Sequence, residues 1–129
     1  MSAKRTALII TDGTEEIKAA AKIIAGALDD FSVKICEVEK FNGTDILPVN
    51  LFIIGCQKAS PASFAHLHEF FLHINLASRK CGVFSTKEST LKYLRGLVKD
   101  CDADLGEPLF LDDGIKKPAV KKWLKGIIK

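Results

Sequence analysis

The sequence predicts an α/β protein, a three-layer sandwich around a five-stranded parallel sheet in the order 2-1-3-4-5. Three observations predict the parallel sheet, while the strand order is an expectation that a sequence alone does not fix. Five apolar runs of strand length recur along the 129 residues, most are followed by an amphipathic helical pattern, and Thr11-Asp12-Gly13-Thr14 stands just after the first run. Strands alternating with helices imply a parallel sheet, and right-handed crossovers place the helices on both of its faces. In that strand order the switch point lies between strands one and three, so the expected site is the rim of loops beyond the strand ends.

The elements follow in order. Residues 6–11 (TALIIT) form a continuous apolar run, as expected of a central strand buried on both faces. Thr14 is the expected N-cap of the first helix, Glu15 and Glu16 suit its positive end, and Ile17, Ala20, Ala21, Ile24 and Leu28 repeat at helical spacing up to about Asp29. Residues 32–38 (SVKICEV) alternate as a half-exposed edge strand does, and Phe41 to Pro48 make a connection with at most a short helix. The third strand is 50–55 (NLFIIG), followed by a helix with Phe64, Leu67, Phe71 and Ile74 on one face. The fourth is 80–84 (KCGVF), and its helix presents Leu91, Leu94, Val98 and Cys101. A last short strand is expected near Glu107 to Leu111, ahead of Asp112-Asp113-Gly114 and a lysine-rich terminal helix.

Composition narrows the class. A chain of this length with 47% hydrophobic residues can build one ordinary core, so a single domain over 1–129 is expected. No apolar run approaches the roughly 18–20 residues that span a bilayer, and no signal-peptide core follows the polar start, so the expectation is a cytoplasmic protein without membrane contact. Cys36, Cys56, Cys81 and Cys101 are far apart, which reads as reduced and mostly buried thiols rather than a zinc site. The net charge of +3 does not argue for nucleic acid. Most of the excess lies at the end, where Lys116, Lys117, Lys121, Lys122, Lys125 and Lys129 flank the stripe Val120, Trp123, Leu124, Ile127 and Ile128. That pattern is a solvated face on a helix docked against the sheet.

The predicted rim gathers Thr11, Asp12, Gly13, Thr14 and Glu15 from the first loop, Cys56, Gln57, Lys58, Ala59 and Ser60 from the second, and Ser85, Thr86, Lys87 and Ser89 from the third. With these loops in place the chain resembles a short flavodoxin-like protein from its first strand to its terminal helix. The resemblance implies flavin mononucleotide (FMN) as cofactor and electron transfer to a redox-partner protein. Thr11-Asp12-Gly13-Thr14 is then a shortened form of the hydroxyl-rich Thr-x-Thr-Gly-x-Thr loop that wraps the flavin phosphate. Thr11 and Thr14 supply hydroxyls, Gly13 permits close backbone approach, and the helix start supplies free N–H groups. Asp12, Glu15 and Glu16 depart from the pattern by bringing negative charge to a phosphate position. The other two loops carry no aromatic residue to stack on the flavin ring. Tyr93 and Phe64 are the nearest rings, and helical spacing assigns both to their helices.

Two other readings stay open on the sequence. One is a flavin-free binding module that uses the same rim, or Phe70 and the lysine-rich helix, to recognise a protein or an anionic ligand. The other is a cysteine-dependent hydrolase: Cys56 stands just past the third strand, where a thiolate nucleophile would be well placed, and Asp12 to Ile17 is similar to the first loop of hydrolases that pair a glutamate with a strand-end cysteine. The short intervening region departs from that superfamily. His66, His68 and His73 lie on one predicted helix without an i, i+4 pair, which reads as surface histidines rather than metal ligands.

Overall fold

The computed structural model describes residues 5–46, 48–58, 62–77, 79–111 and 116–128. Its central element is a parallel sheet built from β1 (Arg5–Thr11), β2 (Phe31–Glu37), β3 (Leu51–Gly55), β4 (Lys80–Ser85), β5 (Asp104–Leu105) and β6 (Leu109–Phe110). The order is β2-β1-β3-β4-β5, with β6 also on β4, so the expected 2-1-3-4-5 plan holds. Helices α1 (Glu15–Ala27), α2 (Gly43–Ile46), α3 (Ala65–Leu72), α4 (Glu88–Lys99) and α5 (Lys117–Ile128) connect and cover it.

The period-two geometry of β1 and β3 divides the core in two. Leu8, Ile10, Phe52 and Ile54 point to one face, with Leu67 and Phe71 of α3 and Leu91, Leu94 and Val98 of α4. Ala7, Ile9, Leu51 and Ile53 point to the other, with Ile17, Ala20 and Ile24 of α1 and Val120, Trp123, Leu124 and Ile127 of α5. Burial on both faces is why these two strands read as unbroken apolar runs. The edge strand β2 is covered less, with Ser32, Lys34 and Ile35 exposed.

Three details depart from expectation. The fifth place in the sheet is held by two fragments, because Gly106-Glu107-Pro108 interrupts it: β5 pairs Lys80–Cys81 and β6 pairs Phe84–Ser85 of the same strand. Pro108 has no N–H for the ladder, and the pairing resumes only after it, extended by Leu111 N–H donating to Ser85 O at 2.9 Å. Ile74 lies beyond the end of α3, which closes at the C-cap His73. Thr14 does occupy the N-cap of α1, but its side chain makes no capping hydrogen bond. Asp112-Asp113-Gly114 lies outside the described residues, as do Ala59, Ser60 and Pro61 of the second rim loop.

Candidate functional site

The rim at the carboxyl ends of β1, β3 and β4 is organised by one carboxylate. Asp12 Oδ1 accepts the Thr14 N–H at 3.0 Å and the Thr14 hydroxyl at 2.7 Å, while Oδ2 accepts the Gln57 N–H at 2.8 Å. This explains the idle cap: the Thr14 hydroxyl turns back to Asp12 instead of serving the first turn of α1. Three charge-assisted bonds to one group join the first loop to the second across 45 residues of sequence. The chain of contacts continues, since Gln57 O accepts the hydroxyl of Thr90 in α4 at 3.0 Å. Ser85 Oγ accepts the Lys87 N–H at 3.2 Å, shaping the third loop. The three strand ends are therefore one connected platform.

Gly13 is needed in the first loop because its φ is +85°, and a β-carbon there would lie 3.4 Å from Glu37 Oε1 at the end of β2. Glu37 thus adds to the negative charge at this end of the rim, with Lys18 3.8 Å from Glu37 and 3.9 Å from Glu15 as the local counter-charge. Glu15 is otherwise solvent-exposed, Lys58 and Lys87 are exposed on the other loops with Thr86 half-buried, and Ser89, expected in the third loop, is instead exposed in the first turn of α4. Thr11 Oγ1 is fully buried and has no hydrogen-bond partner among the described residues, which is an uncommon state for a buried hydroxyl.

Cys56 does not have the setting of a nucleophile. It is buried, its Sγ–H donates to Lys58 O at 3.3 Å, and burial first, then the nearby Asp12 charge, push its pKa up to about 12. Burial and a raised pKa accord with the reading of mostly buried thiols and weigh against the alternative of a strand-end thiolate. The sign of its pH effect follows. Its folded pKa lies above the ordinary value of 9.0, so its contribution to stability is fully present below pH 9 and is lost as the pH rises towards about 12. Urea midpoints measured across that window should fall with pH, and Cys56→Ala should flatten the fall. An unchanged slope would refute this assignment.

The remaining candidates resolve into structural roles. Phe64 is fully buried, and Tyr93 packs half-buried against the core, its hydroxyl pKa raised by burial and then by Cys56. Phe70 is no free recognition surface: its ring meets Phe41 edge-on at 5.7 Å and Phe71 at 6.0 Å. Exposed apolar surface on that side belongs instead to Leu72. His68 faces Asp100 at 3.5 Å and His73 faces Glu69 at 3.1 Å, both at the surface. Among the described residues no group of three metal-binding side chains occurs. The lysines of α5 from Lys117 to Lys125 are exposed, as its pattern implies.

Sequence reasoning passed over Glu37 and Thr90. The available signal for Thr90 was a hydroxyl inside the apolar stripe of α4. Glu37 carried no signal, because its proximity to Gly13 depends on the pairing of β1 with β2.

The arrangement can be tested against a phosphate. The loop has the backbone form for one, but the donors of Thr14 and Gln57 are already committed to Asp12. A phosphate charge about 4 Å from that carboxylate would be repelled by about 4 kcal/mol per unit charge at partly screened surface polarity. One charge-assisted hydrogen bond returns only about 1.5–3 kcal/mol. The first loop as it stands therefore does not fit a phosphate dianion.

No family model and no curated protein matches the chain. Solved structures do. A short-chain flavodoxin associated with a non-canonical PDU bacterial microcompartment superposes with a TM-score of 0.80 at 13% identity, covering 98% of this chain and 97% of that one. The flavodoxin of Streptococcus pneumoniae TIGR4 gives 0.78 at 16% identity, with 95% and 97% covered. Oxidised Flavodoxin 2 from Bacillus cereus gives 0.77 at 19% identity, with 98% of each chain covered. At these identities the likeness establishes the fold and leaves the chemistry to the site.

Proposed function

With the flavodoxin-like fold as premise, we propose that this chain binds a flavin at the rim of β1, β3 and β4 and passes electrons to a partner protein. The observation that carries the reading is the joining of all three strand-end loops into one platform through Asp12, Gln57 and Thr90, at the place where this fold holds its ligand. A bound flavin would supply the one- or two-electron chemistry. The protein's part is to seat the ring against the second and third loops, where the exposed Lys58 and Lys87 offer positive charge to an anionic ligand. Capture of FMN is weak and conditional, because its phosphate must first displace the Asp12 carboxylate. The net charge of +3 favours a partner whose docking face is acidic or neutral. The whole chain acts as one cytoplasmic carrier domain in this reading.

The same committed donors favour a second reading, a flavin-free module that keeps the fold and recognises a protein or another anion. Titration of flavin-stripped protein with FMN and with riboflavin, followed by quenching of flavin fluorescence, separates the two. Saturable quenching by either flavin is the expected result. Absence of quenching with both would leave only the binding module.

A further inference from the structure

The Asp12 carboxylate makes the contacts that a phosphate oxygen pair would make at this loop. It takes one hydroxyl and two backbone N–H groups, from Thr14 and from Gln57, at 2.7 to 3.0 Å. We infer that Asp12 is a built-in occupant of the phosphate position, so that the rim selects flavins lacking a 5′-phosphate, the riboflavin class, over FMN. The inference rests on the flavin reading for its ligand, but its donor chemistry can be tested without any flavin.

Two independent features support it. Glu37 stands against Gly13 on the open side of the loop, where a carboxylate opposes a second anion as Asp12 does. Thr11 Oγ1, fully buried at the end of β1 just before the loop, has no partner among the described residues. An unpaired buried hydroxyl on the residue next to Asp12 is what is expected where an internal anion serves most of an anion site, but not all of it. Asp12 reaches Thr14 and Gln57; it makes no bond to Thr11 among the described residues. A phosphate, with more acceptor oxygens, has the valence for all three.

The test uses Asp12→Ser, which restores a hydroxyl and removes the charge, with Asp12→Ser/Glu37→Gln to clear the second carboxylate. Asp12→Asn provides a near-isosteric control that keeps an acceptor for Thr14 should the serine variant fail to fold. Each ¹⁵N-labelled protein is titrated with inorganic phosphate at constant ionic strength, following the Thr14 and Gln57 amide signals. Each is also titrated with riboflavin and with FMN.

In the wild type, phosphate should leave both amides in place, and FMN should bind more weakly than riboflavin. In Asp12→Ser, phosphate should shift both amides saturably. FMN should tighten about tenfold or more, as for one regained charge-assisted bond, with riboflavin unchanged within about twofold. The double variant should show the larger gain, and Asp12→Asn a smaller one. Amides that stay still in every variant overturn the inference even if riboflavin binds. A wild type that binds FMN as tightly as riboflavin, or more tightly, overturns it as well. If no flavin binds any form while phosphate shifts the variants, the anion assignment stands and the flavin reading fails.

Discussion

Trp123→Ala is expected to destabilise the protein by about 3–5 kcal/mol, the range for truncating a buried aromatic side chain. Against a total of about 5–15 kcal/mol for a domain of this kind, that is a large share. The indole of α5 is buried with Leu109, Val120 and Ile127, and it lies over Gly82 of β4, where a β-carbon would be 2.7 Å from its Cζ2. Its Nε1–H donates to Glu107 O at 2.6 Å, so the same side chain also pins the break between β5 and β6. Trp123→Phe keeps most of the ring and gives up that bond, for about 0.5–1.5 kcal/mol plus the lost packing, since the exposed Glu107 carbonyl can turn to water. Trp123 is the only tryptophan, so the transitions must be followed by far-ultraviolet circular dichroism in urea. A loss below about 1 kcal/mol for the alanine variant would mean that α5 is not docked as described.

The consequence reaches the rim. Once Glu107 is released, β6 is held by its short pairing with Phe84 and Ser85, the Leu111 N–H bond to Ser85 O and the burial of Leu109 and Leu111 in the cluster that has lost the indole. Ser85 is also the residue that shapes the third loop through Lys87. Trp123→Ala should therefore raise amide exchange at Lys87 and Leu111 more than at Leu8 or Phe52, whose side chains pack on the opposite face under α3 and α4.

What could be read from the sequence and what could not divide along a physical line. β1 and β3 were legible because burial on both faces leaves only apolar residues, and the stripes of α1, α4 and α5 because one face of each meets the sheet. Local chemistry also located the rim, since Asp12-Gly13 after an apolar run marks a strand end. The two-part edge was not legible. Glu107 to Leu111 reads as one strand, and only the pairing on β4 shows that Asp104 and Leu105 hold the first half of that place before Pro108 interrupts it. The role of Asp12 was half legible: its charge announced a conflict with phosphate, but its bond to Gln57 spans 45 residues and depends on β1 and β3 being neighbours. The two readings of Cys56, buried thiol or nucleophile, stayed open in the sequence for the same reason. Position alone suggested a nucleophile, whereas its reactivity is set by burial and by Asp12, both products of the assembled fold.

Gly55→Ala is the second large effect, and it tests how firmly the platform depends on its foundation. Gly55 ends β3 opposite Phe84 of β4, and both are fully buried or nearly so. A β-carbon on Gly55 would meet Phe84 Cζ and lie 2.5 and 2.6 Å from its Cε atoms, so it would be driven into the face of a ring that the core holds in place. The expected cost is about 1–3 kcal/mol or somewhat more, typical of overpacking. The strain should appear first at the next residues of the chain, Cys56 and Gln57, lengthening the Gln57 N–H bond to Asp12 and loosening the first loop. Phe84→Leu removes the ring atoms that the new methyl meets. On its own it should destabilise, but combined with Gly55→Ala it should cost less than the sum of the two changes, with a coupling of about 0.5–3 kcal/mol. If the two changes simply add, the close approach of Gly55 to Phe84 is not what positions the second loop, and the rim must take its shape from Asp12 alone.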